Sequence, residues 1–155
     1  MADVAAGAGV SRATVYNHFD DRDALVEAVT ARLAKAFVAS SEPTVARRRT
    51  LAAQVGEAAV YIVTHTAHAD DELLATLLSA RSPHLLEAWV DFWDPYLDAA
   101  KARGEVRRSL HNARAGEWIV RLLFSFAVMP SPTLDLTDPD AIRSFVRDHL
   151  VRGLD

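Results

Sequence analysis

Strand signals are nearly missing from this chain. No stretch sustains a period-two alternation of apolar and polar residues, and no Asn-Gly or Asp-Gly pair offers a hairpin turn. The sequence is punctuated instead by spaced helix breakers: Gly9, Pro43, Pro83, Pro95, Gly104, Pro130, Pro132, Pro139 and Gly153. Apolar residues between them recur at three- and four-residue spacing, so the chain is predicted to be all-α. Its 155 residues, 50% apolar and 25% charged, are ample for a packed core and argue against disorder.

The predicted helices follow from local start and stop chemistry. Ala2 to Ala8 is a short helix ended by Gly9, and Ser11 caps a second that runs through Phe19. Asp20 or Asp21 caps a third, to about Ser40, with Val26, Val29, Leu33 and Phe37 on one stripe. A long helix is predicted from about Thr44 to His68, with Leu51, Val55, Ala59, Ile62 and Val63 inward. Asp70 caps a short helix to about Ser79. Ser82 and Pro83 open one that reaches Arg103, with a break or kink at Pro95. Asn112 caps an apolar helix to about Met129. Thr137-Asp138-Pro139-Asp140 opens the last, whose stripe is Ile142, Phe145, Val146, His149, Leu150 and Gly153.

Composition removes whole classes of function. With no cysteine, disulfide scaffolds, zinc–cysteine sites and cysteine nucleophiles are excluded. The longest uncharged apolar stretch, Leu122 to Met129, is far short of the roughly 18–20 residues of a membrane-spanning helix. Asp3 precedes any basic residue, so the N-terminus lacks the basic segment of an export signal, and a cytoplasmic location is expected. Lys35 and Lys101 are the only lysines; with abundant Ala, Val and Asp, that usage points to a GC-rich bacterial genome. The net charge of -4, from 17 basic and 21 acidic residues, argues at first sight against a nucleic-acid partner.

The first twenty residues say otherwise. Two short helices flank a tight turn at Gly9, with small Ala5 where they would cross and Val4, Val10 and Val15 to tie the unit to its support. That is the pattern of a helix-turn-helix. The second helix carries no acid. Besides its cap Ser11 it presents Arg12, Ala13, Thr14, Tyr16, Asn17 and His18, a set able to donate to phosphates and to read base edges in a major groove. Arg22 offers one further phosphate contact. Spacing alone also fits a helical hairpin with merely solvated polar residues.

The segment Asp3-Val4-Ala5-Ala6-Gly7-Ala8-Gly9-Val10-Ser11-Arg12-Ala13-Thr14-Val15-Tyr16-Asn17-His18-Phe19, followed by Asp21-Arg22-Asp23-Ala24-Leu25, resembles the DNA-binding signature of the tetracycline-repressor (TetR) family. The resemblance covers Ala2 to about Val29. It implies a homodimeric, ligand-responsive transcriptional regulator, usually a repressor, on palindromic double-stranded operator DNA. It places the recognition helix at Ser11 to Phe19, Tyr16 and His18 on phosphate, and Arg12, Thr14 and Asn17 on bases. It also implies an entire further helix ahead of Met1, one that would cover Val4, Val10, Val15 and Phe19. Residues 1–40 are thus expected to form the DNA-binding part with its connecting helix, and 41–155 a ligand-binding and dimerisation domain.

In that larger part Trp89, Phe92, Trp93 and Tyr96 share one helix face, and with Tyr61, His65 and Phe124 they make a candidate effector wall. The resemblance places an effector pocket among these central helices and implies a small apolar or aromatic ligand. The bland reading of each aromatic is plain core. His65 and His68 with Asp71 or Glu72 have the spacing of a weak metal site; a solvated helix end is the commoner meaning, and neither metal nor other cofactor is expected. No catalytic serine–histidine–acid pattern or phosphate loop is present. Trp118, Leu122, Phe126 and Met129, with Ile142, Phe145, Val146, His149 and Leu150, form two stripes that would make a four-helix dimer interface about a two-fold axis. Two other readings remain open from the residues: a helical small-molecule-binding dimer with no DNA role, and a helical metal-dependent enzyme using His65 and His68.

Overall fold

The computed structural model describes residues 1–67 and 83–150, and among these every regular element is helical, as the sequence predicts. Helix α1 spans Ala2–Ala8 and α2 spans Arg12–His18; α3 is Arg22–Val45, α4 Leu51–Ala67, α5 Pro83–Arg103, α6 Asn112–Val128 and α7 Pro139–Phe145. A π-helical turn, Val146–Leu150, continues α7.

The starts follow the expected capping chemistry. Ser11 Oγ accepts from the Thr14 N–H at 3.0 Å, and Asp21 Oδ1 accepts from the Ala24 N–H at 2.8 Å. Asp138 caps α7 in the same way, with Pro139 first in the helix. Gly9 closes α1 at φ 66°, a left-handed conformation that a side chain would strain. One cap differs from expectation: Asn112 is the first residue of α6 rather than its cap, and its Nδ2 donates to Asp98 of α5 at 2.8 Å.

At Pro43 and Pro95 the helices continue where a break was one expectation. Helix α3 runs on through Pro43 to Val45, so the long helix expected from Thr44 begins at Leu51 instead, and the expected domain boundary after residue 40 falls inside α3. Burial explains the extension: Val38, Ser41 and Val45 lie on one stripe and all enter the core, while Pro43 is exposed. Helix α5 is likewise continuous through Pro95, which also faces solvent while Trp89, Trp93, Leu97 and Ala100 opposite it are buried. Of the α3 stripe read from sequence, Leu33 and Phe37 pack on the core but Val26 and Val29 are exposed.

Helix α4 is central, packing on α3, α6 and α7, and α5 lies against α3 and α6. Its predicted inward residues, Leu51, Val55, Ala59, Ile62 and Val63, are all buried. So are two polar ones. Gln54 Nε2 donates to the Arg48 carbonyl at 3.0 Å, and Glu57 is paired with both Arg48 and Arg143. Helices α5 and α6 approach closely at Gly116, where a Cβ would come within 3.2 Å of the Val90 carbonyl oxygen. The expected helix at Asp70 to Ser79, His68, Asp71, Glu72 and Gly153 lie outside the described residues.

Candidate nucleic-acid interface and helical body

The geometry of the first two helices is that of a recognition unit. Ala5 and Val15 are buried between α1 and α2, and Phe19 is half-buried. Val4 and Val10, expected to be covered, are 41% and 43% exposed. On the outer face of α2, Arg12, Ala13, Thr14, Tyr16, Asn17 and His18 are all exposed, as are Ser11 before it and Arg22 after it. Ser11 and Thr14 do more than was foreseen: their hydroxyls share a hydrogen bond at 2.8 Å, so the side chain that caps α2 also fixes the rotamer of Thr14. Arg12 and Arg22 form no ion pair among the described residues, so both guanidinium groups keep all their donors for an outside partner.

The seven residues proposed from sequence as an effector wall divide by burial. Trp89 and Trp93 are fully buried, Tyr61, Phe92, Tyr96 and Phe124 half-buried, and His65 exposed. The four aromatics of α5 are one contiguous ring cluster, with Trp89 and Trp93 stacked at 6.4 Å. Tyr61 and His65 of α4 stack at 3.8 Å. Sequence reasoning missed the residue that joins the two groups. Phe37 of α3 meets Tyr61 at 5.5 Å, His65 at 6.4 Å and Trp89 at 6.4 Å. Its place on a helical stripe signalled burial but not this meeting of rings. Ser40, three residues after Phe37 on α3, hydrogen-bonds the Tyr61 hydroxyl. The indole N–H groups of Trp89 and Trp93 are buried without a hydrogen-bond partner among the described residues. Burial, together with the negative charge of Glu42, pushes the Tyr96 phenol above its ordinary value, so that phenol stays neutral.

The residues expected at a dimer interface also separate. Ile142 and Val146 are buried in this chain's own core. Trp118, Met129, Phe145 and His149 are exposed, and with half-buried Leu122 and Phe126 they line a cleft of about 390 Å³ between α6, α7 and the loop joining them. Phe145 stacks on His149 at 4.6 Å and meets Phe126 edge-on at 5.9 Å. The side chain of Leu150 lies outside the described residues. Among the described residues no three His, Asp or Glu side chains are grouped to hold a metal ion, and no helix is long and apolar enough to cross a membrane.

A capped, exposed, acid-free second helix after a tight glycine turn, carried on a helical body, is a helix-turn-helix arrangement. Residues 1–29 match the family model of bacterial regulatory proteins of the tetR family. Regulators of this family bind DNA and control transcription, and typically act as dimers. No curated protein and no solved structure matches the chain.

Proposed function

We propose that the protein is a cytoplasmic, homodimeric, ligand-responsive repressor that binds a palindromic operator through α2 and leaves it when an effector enters the helical body. The observation that carries this reading is the exposed face of α2, with Arg12 unpaired among the described residues, inside the segment that matches the tetR family. Arg12, Thr14 and Asn17 read base edges; Tyr16, His18 and Arg22 hold phosphates, with Ser11 and Ala13 at the helix entry.

The proposed dimer forms through the apolar cleft between α6 and α7, where Trp118, Met129 and Phe145 are exposed. Dimerisation sets two recognition helices at successive major grooves, about 34–36 Å apart. The proposed effector is small and apolar or aromatic, and it binds against the ring cluster of α4 and α5. Phe37 makes the coupling physical. It sits on the helix that follows the DNA-binding unit and touches Trp89 and Tyr61, so a molecule that displaces these rings moves α3. The effector thereby favours one of two head spacings, by no more than its difference in affinity for the two states.

The test is fluorescence anisotropy with palindromic fragments from the region upstream of the protein's own gene. Sequence-specific binding abolished by Arg12→Ala supports the reading. Binding equal to that of unrelated DNA would sink it.

A further inference from the structure

A second cavity, of about 290 Å³, opens where the loop after α3 meets the start of α4 and the end of α7. It is far from the recognition helix: the 24 residues of α3 separate it from the DNA-binding unit by about 36 Å of helix. Its lining has three guanidinium groups, Arg48, Arg143 and Arg147, against two carboxylates, Glu57 and Asp140. Arg47 and Arg49 flank Arg48 in the loop, both exposed and without an ion-pair partner among the described residues. In a chain of net charge -4 this corner is locally positive.

The donors are not all spent. Arg143 is committed, with Nε and Nη2 on Glu57 and Nη1 on Asp140. Arg48 gives only one Nη to Glu57, and Arg147 places Nε on Asp148 and one Nη on Ser144. The first turn of α4 adds a backbone donor. The Leu51 N–H is taken by Glu105, that of Ala53 by Thr50 Oγ1, and that of Gln54 by the Thr50 carbonyl. Ala52 lines the cavity, and no hydrogen bond from its N–H to a described residue is formed. Free guanidinium donors beside a free helix-start N–H are the chemistry that receives a phosphate.

We propose that this cavity binds a small phosphate ester, its phosphate held by Arg48, Arg147 and the Ala52 N–H. The volume leaves room beyond the phosphate for a small organic group against Ala52 and Ala53. Asp140, Arg143 and Arg147 belong to a different face of the last helix from Phe145 and His149, so the site stays open in the proposed dimer. A ligand there would link the loop that ends α3 to the C-terminal helix. The proposal does not depend on DNA binding.

Calorimetric titration of the whole chain with phenyl phosphate and with inorganic phosphate tests it. Phenyl phosphate is expected to bind one per protomer and more tightly than inorganic phosphate. Arg147→Gln, an exposed change outside the Glu57 cluster, is expected to weaken it about tenfold or more, the worth of a charged hydrogen bond. Asp140→Asn, which removes a competing carboxylate, is expected to tighten it, and Arg108→Gln, in another loop, to leave it unchanged. No binding of phenyl phosphate, equal binding of the two probes, or equal weakening by Arg147→Gln and Arg108→Gln overturns the assignment.

Discussion

Glu57 and Arg143, 86 residues apart in sequence, meet inside the fold, with the Arg143 Nε donating to Glu57 Oε1 at 2.9 Å. Glu57 is 3% exposed and is ion-paired with Arg48 as well, at 2.6 Å. One buried carboxylate thus fastens the loop after α3 and the last helix to α4. Hydrogen bonding to Glu57 holds the Arg143 guanidinium still more firmly in its charged form. Removing one arginine leaves the carboxylate a partner; removing both leaves a buried charge with none, which is the costly case. Arg143→Ala is expected to destabilise by about 2 kcal/mol. Arg48→Ala, half exposed, should cost less, and the double variant more than the sum of the two. Urea unfolding of the four proteins checks this, and strict additivity counts against the shared-carboxylate account.

Two helical glycines are expected to respond oppositely to alanine. At Gly116 the new methyl would lie 3.2 Å from the Val90 carbonyl oxygen, a backbone atom that moves only with α5. Overpacking of this kind costs about 1–3 kcal/mol, so Gly116→Ala should lower the unfolding midpoint. At Gly56 the nearest atoms are those of Arg143, at 3.5 Å or more, an ordinary contact distance. There the gain in helix propensity, about 1 kcal/mol, should prevail and Gly56→Ala should stabilise. Thermal melts of the two variants decide whether α5 and α6 are as tightly apposed as described.

Glu105 offers a pH-dependent prediction. Burial tends to raise its carboxyl, but hydrogen bonds from Arg103 and from the Leu51 N–H outweigh burial and hold it below the ordinary glutamate range. A depressed folded-state value means that the stabilisation is full above the unfolded value, about 4.3, and is lost as pH falls through the folded one. Because Glu105 also caps the first N–H of α4, Glu105→Gln should cost about 1 kcal/mol at neutral pH. The gap between wild type and variant should close as acid protonates Glu105. Unfolding curves at pH 7 and pH 3 give the comparison, and a gap that widens in acid contradicts the sign.

What the sequence makes legible here is what acts locally. Gly9, Ser11, Asp21 and Asp138 each meet partners within four residues, so turn and caps could be read directly, and so could the acid-free face of α2. Pro43, and Pro95 read as a break, misled for the opposite reason. Their local meaning is to stop a helix, but core contacts made by Val38, Ser41 and Val45, and by Trp93 and Leu97, outweigh that preference at positions where the proline itself faces solvent. Phe37 and the Glu57 cluster were invisible because their partners come from other helices. The interior stripe of the last helix was read correctly as apolar, but period alone could not separate Ile142 and Val146, turned into the protomer, from Phe145, turned out of it.

The proposed division of labour on α2 predicts two different kinds of loss. Arg22, exposed at the start of α3 and free of any ion pair among the described residues, is assigned to phosphate. Each phosphate contact releases counterions, so Arg22→Gln should weaken all DNA sequences alike and reduce the slope of log affinity against log salt by about 1. Asn17, exposed on the outer face of α2, is assigned to a base edge. Asn17→Ala should leave that slope unchanged, cost about 1–3 kcal/mol on the preferred site and relax selectivity at a single base pair. Anisotropy titrations at several salt concentrations, on the preferred fragment and its single-base variants, separate the two effects. If Asn17→Ala instead lowers the salt slope while sparing selectivity, the assignments of Asn17 and Arg22 must be exchanged, and the face of α2 that enters the groove is not the one carrying Arg12 and Asn17.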